Sequence, residues 1–72
     1  MDLSEIAFKL SYKDVIIIFK EDSPSFKRYN NSLTGKLIGR SWLSDKIISI
    51  TIKSKGREYL VPANDIKDIE AI

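Results

Sequence analysis

The sequence predicts a mainly β fold, in which a short N-terminal helix precedes five short antiparallel strands bent strongly enough to close into a small barrel. Three observations carry that expectation. Helical spacing of apolar residues is confined to the first ten positions, where Leu3, Ile6, Ala7 and Leu10 fall at i, i+3, i+4 and i+7. Beyond them β-branched residues dominate and apolar positions tend to alternate. Finally, 72 residues form one domain with one small core, because a chain of this size buries only about 60% of the surface it exposes when unfolded. A flat sheet of five strands leaves a core one layer deep between two unpaired edges, and curling the sheet removes both problems.

The helix is expected over residues 3–11. Asp2 and Glu5 have capping-box spacing and place negative charge at the positive end of the helix dipole. So short a helix is marginal alone and must dock its stripe. Val15-Ile16-Ile17-Ile18-Phe19 reads as a strand apolar on both faces. Residues 21–32 read as a long loop or flared hairpin, with Pro24 ending the strand and Asn30-Asn31 as a second break. From Leu33 to Trp42 the period is two. Leu33, Gly35, Leu37 and Gly39 are expected inside, the glycines allowing a sharp bend, and Thr34, Lys36, Ile38, Arg40 and Trp42 outside. Lys46 to Lys53 alternates with Ile48, Ile50 and Ile52 inward and Ile47 as the exception. Lys55-Gly56 is a hairpin turn into Glu58–Val61, which Pro62 ends. Ala63-Asn64-Asp65 fits one helical turn, and 66–72 the last strand, with Asp68 and Glu70 toward water.

With 43% hydrophobic and 31% charged residues the composition is that of a globule, and its longest apolar run falls far short of the roughly 20 residues of a spanning helix. No signal-peptide pattern is seen, so an intracellular, cytoplasmic protein is expected. Cysteine and histidine are both absent, which removes disulfides, thiol nucleophiles, imidazole bases and the usual zinc ligands. No nucleophile has a base near it, and Gly35, Lys36 and Gly39 lack phosphate-loop spacing. Asp65 with Asp68, or Asp68 with Glu70, is weak material for a magnesium site, since hydrated acids on a terminal strand are commoner. The expectation is a non-enzyme without metal or cofactor.

Charge is distributed unevenly. Residues 25–57 hold eight of the twelve cationic residues, Lys27, Arg28, Lys36, Arg40, Lys46, Lys53, Lys55 and Arg57, against Asp45 as their single acid, while both ends are acidic. A cationic block with interleaved rings suits single-stranded nucleic acid, because cations track phosphates and flat rings stack bases. Those eight side chains, with Tyr29 and Trp42 as stacking rings, form the expected interface for RNA or DNA, with weak sequence preference. The alternatives are a protein-interaction or assembly module anchored by Trp42, Tyr29 and Phe26, with Trp42 instead plugging the core, and lysines that only solvate exposed strands.

In element order and hydrophobic spacing the chain resembles the Sm-like (LSm) family of SH3-like small β-barrels. The resemblance runs through Leu3–Leu10 as the helix, Asp14–Lys20 as strand one, Leu33–Gly39 as strand two, Ile48–Ile52 as strand three, and Tyr59–Ile69 as strand four, turn and strand five. It implies RNA binding and homo-oligomeric rings, in which strand four of one subunit pairs with strand five of the next. It also implies an Asp and an Asn after strand two that hold a stacked base. Here Arg40-Ser41-Trp42-Leu43-Ser44-Asp45 has no asparagine, and Pro62-Ala63-Asn64 stands where the family has a basic-glycine pair, leaving Asp45 and Asn64 as the nearest equivalents.

Overall fold

The computed structural model describes residues 3–72. Asp2, expected to cap the first helix, lies outside the described residues. Helix α1, Leu3–Lys9, buries Ala7 completely and lays Leu3, Ile6 and Leu10 against the core, so the apolar stripe does dock. It ends two residues earlier than expected. Tyr12 adopts a left-handed conformation (φ 61°), and its amide donates to the Leu37 carbonyl at 2.6 Å instead of continuing the helix.

Strand β1, Asp14–Phe19, buries Val15, Ile17 and Phe19 and leaves Ile16 and Ile18 half-buried. The segment after it corrects the sequence reading, for residues 24–29 are not a loop or hairpin but a helix, α2, Pro24–Tyr29. Ser23 caps it, its hydroxyl accepting from the Phe26 amide at 3.1 Å. Pro24 therefore opens a helix, where its missing N–H costs nothing, and Asn30 closes it at φ 67°.

Strand β2 (Ser32–Leu43), strand β3 (Lys46–Ser54) and strand β4 (Arg57–Pro62) form consecutive hairpins, the second turning on Lys55 and Gly56, both at positive φ. A 3-10 turn, Ala63–Asp65, leads into β5, Ile66–Ala71. The five antiparallel strands lie in the order β4-β3-β2-β1-β5. The mainly β class with an N-terminal helix thus holds. The sheet itself is open, since no ladder joins β4 to β5 among the described residues.

Three irregularities interrupt the ladders: Lys67 has no partner between the pairs Ile18–Asp68 and Phe19–Ile66, and two bulges in the β2–β3 ladder break the expected alternation there. Ile38 has no partner between the pairs Leu37–Ile52 and Gly39–Thr51, and Ile48 has none between Ser41–Ser49 and Trp42–Ile47. Each extra residue exchanges the faces beyond it. Ile47, the presumed exception, is buried, and Ile48, expected inside, is exposed. Arg40 stands opposite buried Ile50 and Trp42 opposite buried Ile47, so both share the inner face, not the outer one with Lys36.

The turn at Ala63–Asp65 forces the sheet to curl. It joins the two strands that are the sheet's opposite edges, which in a flat sheet would be four spacings of about 4.8 Å apart, roughly 19 Å. Three residues of 3-10 helix advance only about 6 Å. The end of β4 must therefore meet the start of β5 around a core of Val15, Ile17, Phe19, Leu37, Ile50, Ile52, Val61, Ile66 and Ile69. Asp65 fastens this meeting point. Its carbonyl accepts the Lys20 amide at 2.8 Å, and its buried carboxylate accepts the Ser25 hydroxyl at 2.6 Å and amide at 3.2 Å. Expected on the surface, Asp65 is instead a structural acceptor.

The two strand glycines are unequal. A Cβ on Gly35 would lie 2.5 Å from the Lys53 carbonyl oxygen and 2.6 Å from Ile52 Cγ2, whereas one on Gly39 meets nothing closer than 3.6 Å. Gly35→Ala should lower stability by about 1–3 kcal/mol, and Gly39→Ala by less than about 1 kcal/mol. Urea denaturation checks this, and equal midpoints for the two variants would contradict the close approach of β2 to β3.

Candidate nucleic-acid interface

The structure separates the eight expected cations into groups rather than one face. Lys27 and Arg28 are exposed on α2, and Arg28 lines a hollow with Leu60 and Pro62 of β4. Lys55 and Arg57 are exposed at the β3–β4 turn. Lys36 and Lys53 face each other across β2 and β3, but the same register row continues to Asp14 on one side and Glu58 on the other. That row alternates from acid to two bases to acid and is balanced overall, which makes it a poor phosphate track. Lys46 lies at the opposite end of β3, beside the β2–β3 turn.

Four of the expected residues stand differently from the sequence reading. Tyr29 is half-buried, with its ring 5.8 Å from Phe19 and edge-on to Tyr59 at 5.5 Å, so it packs α2 onto the core rather than offering a free face. Phe26 is likewise packed against the core. Arg40, moved inward by the Ile38 bulge, donates to the Ala7 carbonyl at 3.3 Å and to the Ser11 hydroxyl, and its guanidinium sits 5.7 Å from the Phe8 ring centroid. It holds the last turn of α1, where a cation favours the helix dipole. Trp42 remains half-exposed and is not a core plug.

Two concavities bring chemistry together. The larger, about 280 Å³, lies between the start of α1, the β2–β3 turn and the Ala63–Asp65 turn. Lys20, at the end of β1, and Lys46, at the start of β3, line it with Ser4 and Asn64, over a floor of Leu3, Ile47 and Ile66. Among the described residues no carboxylate lines this cavity, and neither lysine has an ion-pair partner there. The second concavity, about 210 Å³, is lined by Ser11, Tyr12, Gly39, Arg40 and Trp42 among others.

No family model, curated protein or solved structure matches this chain. The site is therefore read from its own residues.

Of the expected residues, Lys46 joins Lys20 and Asn64 at the first concavity, and Arg40 and Trp42 meet at the second. Lys20, Phe8 and Tyr12 were not singled out as site residues. Phe8 lay within reach of pattern reading, because it falls off the stripe Leu3, Ile6, Ala7 and Leu10 and so had to face outward. Nothing local marks Lys20, whose place depends on β1 ending beside the last turn.

Removing the guanidinium by Arg40→Ala should cost about 1–2 kcal/mol, a fall in Tm of about 4–8 °C per kcal/mol. Lys27→Ala, on an exposed helix face, should leave Tm unchanged. A thermal melt decides, and equal melting of Arg40→Ala and the native chain would contradict the capping role.

Proposed function

We propose that this chain is a small, non-catalytic nucleic-acid-binding protein of the SH3-like or Sm-like barrel type, acting in the cytoplasm on RNA or DNA with weak sequence preference. One observation supports the reading above the others: among the described residues, Lys20 and Lys46 line one cavity that no carboxylate lines, with an apolar floor and Asn64 at its wall. A pair of cations in a concavity raises the local concentration of anions. An apolar floor with an amide beside it suits a flat ring bearing hydrogen-bonding edges. A nucleotide has both parts. The cavity also lies between the β2–β3 turn and the turn before β5, the region where the Sm-like resemblance implies a held base. Asp65, whose carboxylate is engaged by Ser25, gives catalysis no support.

Anisotropy of a labelled single-stranded oligonucleotide of about 12 nucleotides tests the reading. Affinity should fall steeply between about 50 and 200 mM salt, and the Lys20→Ala/Lys46→Ala double variant should bind more weakly with a shallower salt slope. Affinity indifferent to salt, or equal in the double variant, would exclude this mechanism.

A second reading, assembly into a homo-oligomer, is favoured by the two edges. Strands β4 and β5 each present one side without a ladder among the described residues, and Leu60 is exposed on β4. Pairing β4 of one copy with β5 of the next would satisfy both edges and cover Leu60. Light scattering should then give a multiple of the 8.2 kDa chain mass. A monomer at every concentration would remove this reading and leave the binding proposal standing.

A further inference from the structure

The second concavity has chemistry of its own. Phe8 and Tyr12 are 74% and 73% exposed and Trp42 is 50% exposed, an unusual display of large rings for so small a surface. Phe8 lies against the Arg40 guanidinium, while Tyr12 and Trp42 line the hollow in which Arg40 sits. The Tyr12 ring is presented from a backbone in the left-handed region, which a bulky residue rarely adopts and which the hydrogen bond from its amide to the Leu37 carbonyl holds in place. Arg40 has no carboxylate partner among the described residues, and its hydrogen bonds go to neutral oxygens, so its charge remains available to an anion.

We propose that this hollow is a second nucleic-acid contact, in which one unpaired base of a single strand stacks on Tyr12 and Trp42 with its edge or phosphate toward Arg40. The inference rests on the nucleic-acid reading above and extends it by a site on a different part of the fold. A volume of about 210 Å³ accommodates one base. The polar lining favours a base over an apolar side chain of a protein partner. A leucine or phenylalanine seated there would cover the guanidinium without offering its remaining N–H groups hydrogen bonds, whereas base edges and phosphate oxygens accept them. Duplex nucleic acid keeps its bases stacked on one another and has none to offer.

Trp42 is the chain's single tryptophan, so its fluorescence reports this hollow alone. Titrating the same single-stranded oligonucleotide should quench it, the matching duplex should not, and Tyr12→Ala and Trp42→Ala should each weaken binding about 10- to 100-fold by anisotropy, with the exposed-ring variant Tyr12→Ala melting like the native chain. Oligonucleotide binding that depends on Lys20 and Lys46 but leaves Trp42 emission and the ring variants unchanged would overturn this site and spare the function. Absence of any binding would overturn both. Emission that shifts with protein concentration and ignores nucleic acid would assign the hollow to contacts between proteins and overturn it as well.

Discussion

Three residues between opposite edges of one sheet constrain the molecule more than any other feature. Because Ala63–Asp65 cannot span the width of a flat five-stranded sheet, β1, β2 and β3 must bend until Pro62 and Ile66 stand close together. Burial follows from that curl, since it gathers the apolar residues of all five strands into one core, against which the stripe of α1 and the Phe26 and Tyr29 rings of α2 pack. Asp65 keeps the constraint from loosening. Its carbonyl and carboxylate hold the end of β1 and the first turn of α2 at the same point, each with a buried hydrogen bond or close to it. A buried donor without a partner costs more than a paired one contributes, so this junction is strict about geometry.

The bulges convert that bend into a surface. A sheet that curls this tightly sheds strain by inserting residues where strands turn, and Ile38 and Ile48 are those residues. Their side effect is chemical. Beyond Ile38 the inner and outer faces are exchanged, which carries Arg40 from the solvent side to the end of α1 and turns Trp42 to the mouth of the fold beside Tyr12. The same curl sets the end of β1 next to the start of β3, so Lys20 and Lys46, 26 positions apart in sequence, share a cavity. Both concavities are therefore products of curvature rather than of any local motif.

Much of the fold was legible in the sequence because its signals are short-range. The stripe Leu3, Ile6, Ala7 and Leu10, the β-branched run after Asp14, the Lys55-Gly56 turn and the single turn at Ala63-Asn64-Asp65 each follow from backbone preference or from which residues must leave water. Helix α2 was missed although Ser23-Pro24 is a capping signature, since six residues make under two turns, too short for an apolar stripe to repeat, and proline after a strand also reads as a stop. The site was less legible. Eight cations grouped in sequence suggested one face, yet antiparallel strands send neighbouring segments to opposite ends of a sheet, and the Lys36–Lys53 pair met Asp14 and Glu58 in its own row.

The sequence by itself determined which segments are strands, which positions are apolar and how much positive charge the middle carries, because each of these is a property of a residue and its near neighbours. Only the tertiary structure decided which cations share a cavity and which rings remain in water. Those outcomes depend on register, and a single bulged residue, which no local preference announces, reverses every side chain beyond it.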